Sequence, residues 1–468
     1  MKKRIMMVLG VFLATTLTAC EITPVDVSDA DAGSEETIEE TAEEAIMEEN
    51  TAQESTAEET AVETDEASDA EEEAASGKSE SEEAQSVEYD QSTEYAAYVL
   101  ADGDALVGGT YVATEEDESA LEASGNVKAT VTGVLINKAS GDTSSADDSS
   151  FKGVNAGVRV YGNAEVTLKD CTIVADADNA TGVFAYDGGI IYISDSTIDV
   201  TGGGAGGVQV AGGGTLYGSN LTVTSASKAA IRSDRGGGIL VIDGGTYTST
   251  GKNGCPAIYS TADITVSNAE CVSTNSRAVI IEGKNSVTLV NCTLSGNDQS
   301  TKSGSVKANV LLYQSASGDA KEGTSVFDMT GGSITSESGA MFYCTNTASI
   351  INLQDAELNL SEDGTLLIVS EGRWGSDGKN GGRCILNASA QILEGEIIVD
   401  SISTLELNLT EQSVFTGSIS SEGSTTVNLE DGSTWVLTAD SYISSFSGDL
   451  DDVDTNGYTL YVDGMAVK

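Results

Sequence analysis

The feature that most limits the possible folds is a short phrase that recurs at a nearly constant interval. Its copies begin at Gly157, Gly182, Gly207, Ala230, Ala257 and Ala278, so successive starts are 25, 25, 23, 27 and 21 residues apart. Short strands with alternating apolar and polar residues follow each start, and no helical spacing interrupts them. Such a repeat predicts an all-β fold, a right-handed parallel β-helix of about a dozen coils. A β-sandwich or a propeller is the alternative, but propeller blades repeat after roughly 40 to 50 residues.

Residue types at fixed places in the repeat predict which way each column faces. An inward column of aliphatic and small side chains would form a continuous core. Its members are Val158, Val160, Val183, Ala185, Val208, Val210, Ile231 and Ile258. A turn column needs residues that accept left-handed backbone angles, and we assign to it Asp170, Asp195, Gly218, Gly244, Asn268, Asn291, Gly331 and Asp355. An outward column, predicted to be exposed, would stabilise the ladder or stack on sugar rings; it holds Arg159, Tyr161, Phe184, Tyr186, Gln209 and Tyr259.

Composition excludes several classes of function. The 468 residues include 75 Asp and Glu but only 22 Lys and Arg, which gives a formal net charge of −53, and histidine is absent. Without histidine there is no imidazole for acid–base catalysis or metal binding. A chain this acidic repels the phosphates of nucleic acids, so we expect no nucleic-acid partner.

Residues 1–20 have the organisation of an export signal. A basic start precedes an apolar stretch that is too short to cross about 30 Å of hydrocarbon. The tetrad Leu17-Thr18-Ala19-Cys20 resembles the bacterial lipoprotein signal. That resemblance implies lipidation of Cys20, attachment to the membrane through this residue, and an extracytoplasmic location for the remaining chain. An ordinary secretory signal is the alternative.

The stretch 21–94 differs in composition from the rest of the chain. It is rich in Glu, Ala, Thr and Ser, and Lys78 is its only basic residue. Because like charges repel and few apolar side chains are available, we predict a disordered acidic linker. A calcium-buffering or partner-binding tail is the alternative. The repeat composition starts near Tyr95, so residues 95–468 are predicted to form the β-helix domain.

Several phrases in the repeat region resemble the pectate-lyase-like β-helix superfamily, and more narrowly a group of bacterial surface proteins described as adhesin-like. The phrases are Ser150–Asn155, Pro256–Thr261, Glu282–Ser286, Leu312–Ser315, Thr345–Thr347 and Gly372–Gly375. The resemblance implies the fold and hardly any activity. Hydrolases of that superfamily use a Gly-His-Gly segment, which a chain without histidine cannot supply. Its lyases use an Arg base with acidic calcium ligands.

The nearest match to such a lyase site is formed by Arg232, Asp234 and Arg235, with Asp187 two coils away; Arg373 is a second candidate base. Two coils correspond to about 10 Å, which is long for a shared metal. Exposed ion pairs explain the same residues equally well.

Polar residues where successive strands leave the sheet point to a binding edge. Because coils stack, these residues should line one side of the rod over several coils and supply forked donors, amides and an indole face. They are Asp234, Arg235, Glu282, Lys284, Asn285, Gln314, Asn346, Arg373 and Trp374. This inventory suits a hydroxyl-rich or carboxylated glycan, or a surface protein. The alternative is that these residues only stabilise turns.

A possible calcium loop lies near the end of the chain. Asp452, Asp454, Asn456 and Asp463 match part of an EF-hand-like spacing, although the segment between them alternates as a strand. No other cofactor is expected. The six cysteines that follow Cys20 are expected to be free buried thiols rather than a disulfide framework.

Together these patterns favour a lipid-anchored surface β-helix that binds a glycan or a partner surface without catalysis. A polysaccharide lyase acting on acidic glycans with an Arg base is one alternative. A structural spacer without a ligand is the other.

Overall fold

The computed structural model describes residues 94–252, 254–301, 305–430 and 432–468. The predicted signal peptide, Cys20 and nearly all of the predicted linker lie outside these residues. The described chain is a parallel β-helix with one short α-helix on its surface. No helix among these residues is long and apolar enough to cross a membrane.

The first part of the described chain consists mainly of short strands. The first coils contain β1 (Glu94–Ala96), β2 (Tyr98–Val99), β3 (Ala105–Val107), β4 (Thr110–Ala113), β5 (Leu121–Ser124), β6 (Lys128–Thr132), β7 (Leu135–Lys138) and α1 (Ala146–Lys152). The middle coils contain β8 (Val158–Tyr161), β9 (Glu165–Lys169), β10 (Thr172–Ala175), β11 (Val183–Tyr186), β12 (Ile190–Ser194), β13 (Thr197–Val200), β14 (Val208–Ala211), β15 (Gly214–Ser225), β16 (Ile231–Ser233), β17 (Gly238–Ser249), β18 (Ile258–Ser260), β19 (Asp263–Ser267), β20 (Glu270–Ser273), β21 (Val279–Glu282), β22 (Ser286–Val290) and β23 (Thr293–Asn297).

The last coils have longer strands. They contain β24 (Ala308–Tyr313), β25 (Thr324–Thr330), β26 (Ser333–Ser338), β27 (Ala340–Thr345), β28 (Ala348–Gln354), β29 (Glu357–Asn359), β30 (Thr365–Val369), β31 (Arg383–Ser389), β32 (Ile392–Val399), β33 (Thr404–Thr410), β34 (Val414–Ser421), β35 (Ser424–Leu429), β36 (Thr434–Leu437), β37 (Ser441–Ile443), β38 (Ser445–Ser447), β39 (Val453–Asp454), β40 (Leu460–Val462) and β41 (Met465–Ala466). A 3₁₀-helix spans Leu450–Asp452.

The strands form three stacks, which we call faces 1, 2 and 3. Face 1 begins with β3, β6, β9 and β12 and ends with β31, β33, β35 and β38. Face 2 runs from β1 and β4 to β26 and β29, and β15 and β17 bend to serve both faces. Face 3 runs from β2 and β5 to β39 and β40. These strands pair in parallel, whereas β40 and β41 pair antiparallel at the end.

The register of face 3 confirms the repeat predicted from the sequence. Its inward ladder joins the predicted copies in order and then continues beyond them. The rungs are Val158, Val183, Val208, Ile231, Ile258, Val279, Val310, Phe342, Leu367, Ile397 and Ile419. All of these side chains are fully buried, so each coil adds its apolar residues to one continuous core.

The turn column is confirmed except at one position. Asp170, Asp195, Asn268, Asn291 and Asp355 have positive φ, as do Gly244 and Gly331. Gly218 was assigned wrongly. It lies within β15 between Ile193 and Ile242 in the ladder, and a Cβ there would approach Ile242 Cδ1 to 2.8 Å. The left-handed residue of that coil is Asn220, with φ 52°, whose Nδ2 donates to Asp195 Oδ1 at 3.0 Å.

Helix α1 covers part of the outer side of face 3. Ser145 caps its start by accepting from Asp148 N, and Gly153 ends it with φ 70°. The predicted exposure of Phe184 and Gln209 is therefore wrong, because both are fully buried. Gln209 Nε2 donates to the Ser150 carbonyl at 2.8 Å, so the helix is fixed to the sheet.

A polar ladder runs along the outer side of face 1 in the later coils. Asn352 donates to Asp328 Oδ1, and each further asparagine donates to the one before it, at 2.7, 2.9 and 2.6 Å for Asn387, Asn408 and Asn428. Stacked amides of this kind satisfy one another from coil to coil.

Candidate functional site

The structure gathers the predicted edge residues on the outer side of face 3 and in the loops that follow it. At the centre is Glu282, which is 1% exposed. Its Oε2 accepts from Tyr259 OH at 2.6 Å and from Tyr313 OH at 2.8 Å. Its Oε1 accepts from Ser315 Oγ. Burial, followed by the nearby Glu282 carboxylate, raises the pKa of Tyr313, so this phenol stays protonated and continues to donate.

The loop 371–382 lies against this cluster. The rings of Trp374 and Tyr313 have centroids 4.5 Å apart. Asn380 Nδ2 donates to the carbonyls of Gly372 at 2.7 Å and Trp374 at 2.9 Å. The exposed Arg373 has its guanidinium carbon 5.3 Å from the centroid of the Trp374 ring. The loop is therefore held by an aromatic contact on one side and by its own amide on the other.

Arg232 and Asp234 form a buried ion pair beside this cluster. Arg232 Nε and Nη2 lie 2.9 and 2.7 Å from Asp234 Oδ2, and the guanidinium lies 4.4 Å from the Tyr259 ring centroid. Burial alone would lower the pKa of Arg232, but Asp234 and Tyr259 raise it overall. A general base must release its proton, so this environment opposes such a role for Arg232. Asp187 lies exposed in the turn after β11.

Two further predicted residues serve the local structure. Arg235 pairs with Asp319, with Nη2 2.7 Å from Oδ1, and lies over the ring of Phe151. Asn285 Nδ2 donates to the Glu282 carbonyl. Lys284 joins the neighbouring loop through its backbone, whose N–H donates to the Lys321 carbonyl at 2.8 Å. The turn-stabilising alternative therefore describes Arg235 and Asn285 well.

A cleft of about 640 Å³ lies between loop 314–323 and loop 371–382. Two predicted residues, Gln314 and Asn346, line it, and Asn346 Nδ2 donates to the Gln314 carbonyl at 2.7 Å. Gln314 Oε1 is buried without a hydrogen-bond partner among the described residues. The complete lining is Gln314, Ser315, Ala316, Glu322, Gly323, Thr324, Asn346, Thr347, Ala348, Gly375, Ser376, Lys379 and Arg383.

The cleft continues as a groove along the axis of the coil. A second cavity, of about 410 Å³, shares Thr324, Ala348 and Arg383 with the first. These three residues are consecutive rungs on face 1, and Thr404 and Ser424 are the next two. With a strand spacing of about 4.8 Å, the column is roughly 19 Å long.

The cleft also contains two cations that were not predicted from the sequence, Lys379 and Arg383. Both are exposed. Arg383 is the first residue of β31 on face 1. In the same coil, β30 on face 3 is followed by an irregular loop, and this loop carries Lys379. Their proximity depends on the path of this loop, which has no repeat. The one available signal was the presence of two basic residues within a short stretch of an otherwise acidic chain.

The residues of the predicted calcium loop take part in local backbone turns. Asp454 Oδ1 accepts from the Asn456 N–H at 2.9 Å, and Asn456 and Asp463 have left-handed backbones with φ 51° and 48°. Asp452 ends the 3₁₀-helix. Within the described residues no group of three or more Cys, Asp or Glu side chains is arranged to hold a metal ion.

Five cysteines in the described part of the chain are free and buried, namely Cys171, Cys271, Cys292, Cys344 and Cys384. The sulfur atoms of Cys344 and Cys384 lie 3.6 Å apart. The prediction of free thiols rather than a disulfide framework agrees with this arrangement.

The cleft and the face 3 cluster are parts of one surface. Tyr313 ends β24, and the next residue, Gln314, lines the cleft. Comparison of the chain with protein-family models, curated proteins and solved structures found no match.

Proposed function

We propose that this protein is an exported, lipid-anchored β-helix that binds an acidic, hydroxyl-rich glycan in the cleft between loop 314–323 and loop 371–382. The observation that supports this most is the lining of the cleft, which combines the amides of Gln314 and Asn346 with the cations of Lys379 and Arg383. Within this proposal the chain is an adhesin-like member of the pectate-lyase-like superfamily.

The chemistry of the lining favours a carboxylated sugar. Amide groups donate to and accept from hydroxyls, whereas Lys and Arg side chains bind carboxylates through charge-assisted hydrogen bonds. Lys379 and Arg383 are both exposed, so their charged groups are open to a ligand. The groove beyond Arg383 offers room for a short oligosaccharide, with Thr404 and Ser424 as further polar contacts.

Binding calorimetry with a short uronate oligosaccharide tests the proposal. Arg383→Ala and Lys379→Ala each remove one charged contact, and we expect each to weaken binding roughly ten- to hundredfold. Lys169→Ala is the matched control, because Lys169 is an exposed cation on β9 of face 1, far along the rod. Equal affinities for the wild type, Arg383→Ala and Lys379→Ala would refute the cleft as the binding site.

The same experiment separates the alternatives. A neutral oligosaccharide of equal length should bind more weakly than the uronate. Binding of neither sugar would favour a structural spacer. Lyase action would produce an unsaturated uronate that absorbs in the ultraviolet. We expect no such product, because Arg232 is paired with Asp234.

The anchoring part of the proposal rests on residues 1–20. Two acyl chains on Cys20 would hold the protein stably at a membrane, whereas one chain would not. A Cys20→Ser variant should therefore be released into the soluble fraction when cells are separated into membrane and soluble parts. Continued membrane association of that variant would contradict lipid anchoring.

A further inference from the structure

Ser150 and Lys228 are hydrogen-bonded to each other at a place that the cleft does not use. Ser150 lies on α1, and Lys228 lies in the turn after β15. Lys228 Nζ and Ser150 Oγ are 2.7 Å apart. Ser150 and Lys228 are both half-buried. The pair is therefore partly shielded from solvent but not enclosed in the core.

The surrounding structure holds both residues in place. On the Ser150 side, Gln209 Nε2 donates to the Ser150 carbonyl at 2.8 Å, and the neighbouring Phe151 ring packs under Arg235. On the Lys228 side, the carbonyl of Lys228 accepts from Ser225 Oγ at 2.9 Å and from Ser249 Oγ at 3.1 Å. The hydroxyl and the ammonium are therefore positioned by separate elements that are each fixed to the coil.

The surroundings of Lys228 favour its neutral form. Burial is the largest effect, Arg232 adds to it, and together they outweigh Asp234 and Cys255, so the pKa of Lys228 falls to about 8. The side chain of an ordinary lysine has a pKa of 10.5. Near neutral pH, a useful fraction of Lys228 can therefore accept a proton.

We propose that Ser150 and Lys228 form a nucleophilic serine–lysine pair that takes up small acyl groups from esters. A serine hydroxyl is a weak nucleophile until an adjacent base removes its proton, and a desolvated lysine can be that base. This site is separate from the cleft, and the proposal does not depend on glycan binding.

The reaction balances with these two residues and the ester. Ser150 Oγ bonds to the ester carbonyl carbon while its proton passes to Lys228 Nζ. The tetrahedral intermediate then collapses, the bond to the alkoxy oxygen breaks, and that oxygen takes the proton from Nζ. The products are an acyl group on Ser150 and a free alcohol, and attack by water on the acyl group regenerates the serine.

The test uses 4-nitrophenyl acetate as the acyl donor and the full chain as the protein. We expect the acetyl group on Ser150 in peptides analysed by mass spectrometry, and loss of that modification in Ser150→Ala. Ser140→Ala, a nearby change in the loop before α1, is the control and should react like the wild type. If the wild type neither carries an acetyl group on Ser150 nor releases 4-nitrophenolate faster than Ser150→Ala, the proposal is overturned.

The role of Lys228 is tested by pH dependence. In the wild type the acylation rate should rise with pH through a midpoint near the pKa of Lys228, about 8. Lys228→Arg keeps a donor for Ser150 but cannot act as a base, and we expect its rate to fall at least about tenfold and to lose that midpoint. Lys228→Met should behave in the same way. If Lys228→Arg, shown to be folded by circular dichroism, retains the wild-type rate and pH profile, Lys228 is only structural and the proposal fails.

Discussion

Tyr313 and Trp374 are in direct contact, with ring centroids 4.5 Å apart and ring planes inclined by 49°. Tyr313 belongs to β24 of face 3, whereas Trp374 belongs to the loop before β31. The contact therefore sets the position of the loop that forms one wall of the cleft. It also links the cleft to the buried Glu282, which accepts a hydrogen bond from Tyr313.

Replacing Trp374 should loosen this wall without unfolding the coil. We expect Trp374→Ala to lower affinity for a uronate oligosaccharide about tenfold, because the loop that carries Lys379 loses its aromatic support. Trp374→Phe should retain most of the affinity. Calorimetry measures both variants, and equal binding by Trp374→Ala and the wild type would show that the loop does not shape the site.

Glu282→Gln should destabilise the protein. The carboxylate accepts hydrogen bonds from two tyrosines and a serine, and a neutral amide accepts less strongly. We expect a loss of about 1.5–3 kcal/mol in the free energy of unfolding, measured by urea denaturation. Glu357→Gln, at an exposed position on β29, is the control. A Glu282→Gln protein as stable as this control would mean that the buried charge contributes nothing to stability.

The asparagine ladder on face 1 offers a second stability test. Asn387 donates to Asn352 and accepts from Asn408, so Asn387→Ala breaks two links. We expect a cost of about 1–2 kcal/mol in urea unfolding. Asn359→Ala changes an exposed asparagine outside the ladder and should cost less. The reverse order of the two costs would contradict the ladder's role.

The regular part of the fold was predictable because stacking repeats the same register in every coil. Val158, Val183 and Val208 occupy equivalent positions in the sequence and become successive rungs of the structure. One error arose within the repeat. Gly218 was chosen for the turn because glycine tolerates positive φ, but packing against Ile242 requires its small size instead, and Asn220 makes the turn.

Insertions between strands were not predictable in the same way. Among the coils that the structure describes, helix α1 has no counterpart, so nothing in the repeat indicated that it covers Phe184 and Gln209. The cleft was predicted in part. Gln314 and Asn346 follow strands of the repeat and were found, whereas Lys379 reaches the site through an irregular loop.

Stability should depend on pH through Lys228. Its folded pKa is about 8, below the 10.5 of a free side chain, so between these values the unfolded chain binds more protons and stability rises with pH. Below pH 8 Lys228 is charged in the folded protein, and the resulting loss in the free energy of unfolding is fully present. The wild type should therefore gain about 1–2 kcal/mol relative to Lys228→Met between about pH 7 and pH 9.5, after allowance for partial solvent screening.

This pH effect is measured by urea unfolding of both proteins across that range. Using the difference between them removes the contributions of tyrosines and other lysines, which the two proteins share. A constant difference would show that Lys228 titrates as an ordinary exposed lysine.

We expect an acidic glycan to occupy the cleft between loop 314–323 and loop 371–382. The most direct measurement is a crystal structure of the protein with a short uronate oligosaccharide. We predict sugar density in the cleft, with a carboxylate within hydrogen-bond distance of Arg383 or Lys379 and a hydroxyl near Gln314. An empty cleft with the sugar bound elsewhere, at concentrations that saturate binding in calorimetry, would show that the cleft is not the binding site.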